Sequence, residues 1–356
     1  MKVIYRELST SDKDIKISLD TNVELPKHDD TSVVVQVKAC GLSNISNKVL
    51  NLLHSTTKSE QCLYSATFEV TGLVTQVGCS VTGIQPGDRV AGFCPLDSEM
   101  SACADFCVLK EHNIVKIPEG VEFEMAAACI GDCLKAYIAL HYLARLCSGD
   151  TLLVIDGASS AGTMVIQLAQ LWGAKVMATV SCAEERSFLE TLQPPLAQII
   201  DSGDKTRPIS SSVLEETGGI GVDCVIDNGA RLFTSEDDMI IAGETNKSPS
   251  CHKYDIISCL GVGGRWVTSQ PDLQLDPLDS ECLFLRSASV CFLFPESWLL
   301  SNSQQGRYQH ILADIMDKLS QGLIKANITK TVNFDNTIDA LQTLQNRQIG
   351  KTVMSL

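Results

Sequence analysis

Two periodicities divide this chain. Up to about Glu122, apolar residues alternate or run in short blocks closed by Gly and Pro, the pattern of half-buried strands. Ser32–Ala39, Glu69–Val77 and Val108–Ile117 are predicted strands, and Pro86-Gly87-Asp88 is a turn feeding another at Arg89–Gly92. From Met125 the period lengthens, and Met125–Leu146 is a predicted helix stopped by Ser148-Gly149. Strands and helices then alternate to about Leu293. Ala197–Asp201, Val222–Asp227 and Gly264–Thr268 are near-continuous apolar runs, as a parallel sheet covered on both faces requires. After Ser303 come helices over Arg307–Gln321 and Asn336–Gln345 and a last strand, Lys351–Met354. The pattern gives three segments: residues 1–124, 125–300 and 301–356. Within the second, Arg231–Lys253 carries Glu236-Asp237-Asp238 and a run of small polar residues, which predicts a polar, partly disordered insertion.

One turn stands out for chemistry. Thr151–Ile155 reads as a strand and Thr163–Leu171 as a helix, with Asp156-Gly157-Ala158-Ser159-Ser160-Ala161-Gly162 between them. A second strand, Ala174–Val180, completes a βαβ unit. Strand, glycine turn and helix are the setting of a dinucleotide site, where a pyrophosphate rests on the helix N-terminus. The candidate cofactor residues are Gly157, Ala158, Ser159, Ser160, Ala161 and Gly162. The turn reads G-x-S-x-x-G, so Ser159 stands where a middle glycine would let the backbone approach the ligand.

Composition narrows the partners. A net charge of −15 excludes a phosphate-backbone binder and disfavours an anionic membrane surface. No run of about 18 apolar residues predicts a membrane span, and Met1–Leu8 has no apolar signal core. The fifteen cysteines form no C-x-x-C, and an odd count in a long chain reads as reduced, mostly buried thiols of a cytoplasmic protein. Cys103/Cys107 and Cys129/Cys133 are spaced to share a helix face, and core packing is the favoured reading of both pairs.

The motifs resemble the quinone oxidoreductase (zeta-crystallin-like) branch of the medium-chain dehydrogenase/reductase superfamily. The resemblance rests on Gly72–Gly78 with Pro86–Val90, Ala126-Ala127-Ala128 with Lys135-Ala136-Tyr137, the Asp156–Gly162 turn, Thr217–Asp223, Gly263-Gly264-Arg265 and Gly350-Lys351. It implies an α/β chain with a Rossmann doubly wound parallel sheet (125–300) and a GroES-like β-barrel domain (1–124, completed by 301–356). Cofactor and substrate would lie at the carboxyl ends of the parallel strands. Zinc-dependent relatives need a Cys and a His in the barrel domain; this chain has Ser43 and Phe68 there, so no zinc is expected. Cys40 lies off register and reads as a core thiol.

The cofactor expected is NADPH, held weakly. The second strand ends Thr179-Val180-Ser181-Cys182, with no carboxylate in the place that grips ribose hydroxyls in NAD sites. Ser181 and Arg186 are therefore added to the site, with Lys205 as a further cation. A charge-assisted bond to a 2′-phosphate contributes about 1.5–3 kcal/mol, but Glu184 and Glu185 adjoin Arg186 and erode that gain. Asn47–Leu53 also lacks the aromatic and the Arg-Ser-Gly ending that active relatives place beside the nicotinamide. No catalytic acid, base or nucleophile is assigned; His54, His112 and His141 read as surface or packed histidines.

Three readings follow. The favoured one is a zinc-free quinone oxidoreductase-like protein with residual NADPH binding and little turnover. Motifs such as Pro95–Ser98, Leu260–Gly264 and Gln274–Pro277 resemble a divergent member of the branch, which implies a subunit of a multi-protein effector assembly on early endosomes. The alternative is an active NADPH-dependent quinone or enone reductase, taking a quinone-like small molecule and able to form homo-oligomers. A crystallin-like structural role has no specific mark. Neither nucleic acid nor membrane insertion is expected.

Overall fold

The computed structural model describes every residue except 10–11, 26, 44–49, 51–60, 96–99, 204–205, 233–250, 301–303 and 345–347. The chain forms two compact units: Met1–Leu134 with Pro295–Leu356, and Lys135–Phe294.

The first unit opens with β1 (Val3–Ser9), β2 (Asp12–Asp20), β3 (Ser32–Leu42), β4 (Gln61–Ser65), β5 (Glu69–Val77), β6 (Arg89–Phe93), β7 (Phe106–Lys110) and β8 (Ile114–Lys116). The predicted strand Val108–Ile117 is two strands, because each half serves a different neighbour. β7 pairs with β3 and β8 with β6, and a short 3-10 turn at Glu111–Asn113 changes course between them. Helix α1 (Phe123–Tyr137) follows. Its first half packs on this unit, with Ala127 and Ala128 against Ala39 and Val353. The unit therefore runs on to Leu134, ten residues past the predicted boundary at 124.

The predicted helix Met125–Leu146 is not uniform. Past Tyr137 the hydrogen bonds lengthen to a π-type turn, Ile138–Leu143, with the Ala144 amide on the Ala139 carbonyl at 2.8 Å. The second unit then runs β9 (Thr151–Val154), α2 (Ser160–Leu171), β10 (Lys175–Val180), α3 (Ala183–Leu189), β11 (Gln198–Asp201), α4 (Ile209–Glu216), β12 (Val222–Ile226), α5 (Lys253–Cys259), β13 (Leu260–Thr268), α6 (Pro277–Leu285) and β14 (Ser289–Phe292). All six strands are parallel, in the order β11-β10-β9-β12-β13-β14. Leu153, Ile155, Met177, Val225, Ile257 and Trp266 fill one core of this unit. This is the parallel sheet expected from the apolar runs, in the Rossmann architecture that the family resemblance implies.

Most of the predicted insertion, 233–250, lies outside the described residues. Its two ends meet: the Arg231 amide donates to the Cys251 carbonyl at 2.9 Å, and the Lys253 amide to the Arg231 carbonyl at 3.0 Å. Lys253 belongs to the core rather than to a loop, since it starts α5 and pairs with the buried Asp279 at 2.6 Å.

The chain returns to the first unit through α7 (Glu296–Leu300), α8 (Gln305–Ser320), β15 (Ile328–Asn333), α9 (Thr337–Thr343) and β16 (Lys351–Ser355). β16 pairs antiparallel with β3 and joins a seven-stranded mixed sheet, beside a three-stranded sheet in the order β2-β1-β4. All fourteen described cysteines are free, and nine of them are buried. Cys129 and Cys133 do share a helix face, 3.3 Å apart at sulfur. Cys107 lies on β7 instead, so the Cys103/Cys107 spacing has no helix under it.

Candidate functional site

The glycine turn leaves β9 at the centre of the parallel sheet. Asp156 takes a positive φ of 54° to make the bend, and its amide donates to the Thr179 hydroxyl at 2.9 Å. The Gly157 amide donates to the Thr179 carbonyl at 3.0 Å, which fastens the turn to β10. Neither glycine tolerates a side chain. A Cβ at Gly157 would stand 2.6 Å from that of Ala178; one at Gly162 would stand 2.7 Å from the Asp156 carbonyl oxygen. The first and last glycines thus keep the close strand–helix packing that such a turn needs.

The middle position has changed its role. Ser159 is the N-cap of α2 and accepts from the Gly162 amide at 3.1 Å. Its hydroxyl donates to the Asp156 carbonyl at 2.8 Å and accepts from Asn228 Nδ2 at 3.3 Å. One donor and two acceptor positions are the full capacity of a hydroxyl. Asn228, just past β12, is held in turn by Lys135 Nζ at 2.7 Å. The cavity beside this chain, lined by Lys135, Ala161, Gly162, Asp227 and Asn228, measures about 10 Å³, no more than a single water needs. Asp227 lies beneath it, bonded to Trp266, to Thr268 Oγ1 at 2.8 Å and to the Gly229 amide at 2.7 Å. Burial raises its pKa despite those bonds.

Sequence reasoning left the end of β10 without a carboxylate; the structure puts one there. Glu185, in the first turn of α3, folds back so that Oε2 accepts from the Ser181 amide at 2.6 Å, and the Ser181 hydroxyl lies 3.1 Å from both carboxylate oxygens. Glu185 is 7% exposed. Arg186 is half-buried and makes no side-chain hydrogen bond or ion pair among the described residues; Lys205 lies outside them. Tested against NADPH, the turn keeps the shape of an anion cradle. Its Gly162 amide is committed to Ser159, however, and a carboxylate stands where a 2′-phosphate would need a cation. The residues do not fit a tight NADPH site.

On the first unit, Ser43 belongs to a buried charge cluster that the sequence did not reveal, and Phe68 precedes its Glu69 in the chain. Lys351 Nζ donates to Ser43 Oγ at 2.8 Å, Glu69 Oε1 at 2.9 Å and Asp132 Oδ2 at 3.1 Å. Those three bonds use every donor of the ammonium. Desolvation would lower the Lys351 pKa, but Asp132 and Glu69 outweigh it and the pKa is raised. Ser43 also donates to Glu69 at 2.7 Å, and Thr67 donates to the other Glu69 oxygen at 3.0 Å. Among the described residues, no group of three His, Cys, Asp or Glu is placed to hold a metal ion. Cys40 is buried, with its thiol on the Ala102 carbonyl.

The other candidates divide simply. Asn47–Leu53 lies outside the described residues except for Leu50, which is buried, and His54 lies outside them. Burial lowers the His112 pKa. His141 is exposed and stacks edge-on to Tyr142, ring centres 4.7 Å apart.

Gly162→Val would force the turn open at backbone atoms. It is expected to abolish dinucleotide binding, checked by titration; equal binding by variant and wild type would place the site elsewhere.

Comparison with known proteins defines the class. The family described as Alcohol dehydrogenase GroES-like domain matches residues 29–119. Quinone oxidoreductase-like protein 1 of Mus musculus is 41% identical over 351 residues, covering 99% of this chain and 98% of that protein. The fold matches a quinone oxidoreductase of Pseudomonas syringae pv. Tomato DC3000 with a TM-score of 0.77 at 22% identity, covering 100% of this chain and 99% of that one. It also matches a mycobacterial protein complexed with NADPH, with a TM-score of 0.77 at 21% identity and coverage of 99% and 100%. The chain belongs to the medium-chain dehydrogenase/reductase superfamily, in its quinone oxidoreductase branch, alongside Quinone oxidoreductase-like protein 1.

Proposed function

We propose that this chain is a zinc-free, quinone oxidoreductase-like protein that retains residual NADPH binding, turns quinones over poorly, and serves as a subunit of a multi-protein assembly recruited from the cytoplasm to early endosomes. The observation that carries it is the chain Lys135–Asn228–Ser159, which occupies the glycine turn with side chains of the protein itself. A pyrophosphate would have to displace the Ser159 hydroxyl from the Gly162 amide before it could use that donor. The assembly and its location rest on the family resemblance, and co-localisation of the chain with an early-endosomal marker tests them. Titration with NADPH and NADH, followed by assay with a simple quinone, tests the rest.

The alternative is an active NADPH-dependent quinone or enone reductase. It is favoured by the intact packing at Gly157 and Gly162 and by a fold neighbour complexed with NADPH. Sustained turnover at a rate typical of enzymes, about 1–10³ per second, would establish it.

Lys351 supports the zinc-free assignment. Its ammonium already lies against both carboxylates nearest Ser43 and offsets one of their two charges, so a divalent cation there would meet a fixed positive charge. Elemental analysis of dialysed protein is expected to find far less than one zinc per chain. Stoichiometric zinc that resists chelators would contradict it.

A further inference from the structure

We propose that Glu185 is the specificity-determining residue at the adenosine end of the nucleotide site, and that it selects an unphosphorylated ribose, so that NADH binds better than NADPH. The proposal rests on the reading that a dinucleotide still binds at the glycine turn, and it makes the residual NADPH affinity the weaker of two.

The geometry follows from the sheet. β9 and β10 are parallel neighbours, with Leu153 opposite Met177 and Val154 opposite Ala178. The turn that leaves β9 is fastened to Thr179, so Ser181 stands two residues beyond that anchor, at the carboxyl end of β10. In doubly wound folds a nucleotide seated on the turn carries its adenosine ribose to this end of the second strand, where an acidic residue about 20 residues past the turn accepts from the hydroxyls. Glu185 lies 23 residues past Gly162 by the numbering. It reaches the strand end from the following helix rather than from the strand itself.

Its carboxylate is held in place. The Ser181 amide and hydroxyl fix both oxygens, and the residue is buried. An ionised carboxylate offers about four lone-pair sites, which leaves acceptor capacity for a ribose hydroxyl in a charge-assisted bond. A 2′-phosphate would instead meet like charge. The other charged groups do not reverse this. Glu184 is exposed on the same helix, and Asp201 on β11 lies beside Val180. Arg186 is the one described cation close in sequence, set against three carboxylates.

The test is titration of the full chain with NADPH and NADH, and with 2′,5′-ADP and ADP as fragments, for wild type, Glu185→Gln and Glu185→Lys. Like-charge juxtaposition costs enough that wild type should favour NADH by at least about tenfold. Glu185→Gln keeps an acceptor for Ser181, so the fold persists; it should shrink the preference to within about threefold. Glu185→Lys should invert it, with 2′,5′-ADP following NADPH. A wild-type preference for NADPH, or an unchanged ratio in Glu185→Gln, overturns the proposal while leaving nucleotide binding intact. No binding of any of the four ligands overturns both it and the reading beneath it.

Discussion

Replacing Lys351 with methionine is expected to destabilise the first unit by about 3–5 kcal/mol, as removal of one partner from a buried ion pair does. The ammonium is fully enclosed, and its three hydrogen bonds go to Ser43, Glu69 and Asp132. Glu69 and Lys351 are each about 4–5% exposed at the side chain. Methionine fills much of the volume, so the loss is mainly that of charge. It removes the ammonium that Glu69 and Asp132 share, from a site where the Glu69 side chain is almost wholly buried. Adding Glu69→Gln to Lys351→Met should recover part of the loss, because the pair is coupled. Denaturant unfolding of the full chain measures both. A loss below about 1 kcal/mol for Lys351→Met, the size expected of a surface pair, would show that the cluster contributes little.

Quinone reduction by the wild-type chain is expected to be very slow, at least about a hundredfold below a well-oriented enzyme, since a small misplacement of reacting groups has that effect. Orientation can contribute about 7–11 kcal/mol to such a reaction, and here it is compromised twice. Ser159 occupies the turn, and Asn47–Leu53 lacks the aromatic and arginine that active relatives place beside the nicotinamide. Ser159→Gly should free the Gly162 amide and strengthen nucleotide binding modestly. It should also lower helix stability slightly, by about a few tenths of a kcal/mol, because glycine is itself a tolerated N-cap. It should not restore turnover. Loss of reduced-nicotinamide absorbance with an ortho-quinone measures the rate. Brisk oxidation by wild type would make the reductase reading the correct one.

How much of this was legible in the sequence depends on the range of the interaction. Five of the six parallel strands are legible, the inner ones through apolar runs such as Val222–Ile226, because burial on both faces leaves a local mark; β14, exposed at Ser289 and Phe292, carries no such run. The glycine turn was readable as strand, turn and helix. Strands β1, β2 and β4 were not: they lack a long apolar block, β2 is a local hairpin partner of β1 (Ser9 opposite Asp12), and β4 joins β1 only across distant residues, as Tyr5 with Ser65. The division of Val108–Ile117 was hidden for a similar reason, since its halves answer to β3 and β6.

At the site, the substitution at Ser159 was visible as a missing glycine. Its partner Asn228 was not, because 69 residues separate them and only the sheet order brings them together. Glu185 adjoins Arg186 along the helix, but its side chain turns back to the strand end, a contact that position along the helix does not show. The Lys351 cluster joins residues from four distant parts of the chain, and Gly350-Lys351 was read only as a family mark.

The most direct measurement is a calorimetric titration of NADPH into wild type and into a Ser159→Gly/Asn228→Ala double variant. If the protein's own side chains occupy the turn, wild type should bind more weakly than about 100 μM, or about 5.5 kcal/mol, and the double variant at least about tenfold more tightly. Micromolar binding by wild type, unchanged or weakened in the double variant, would contradict it.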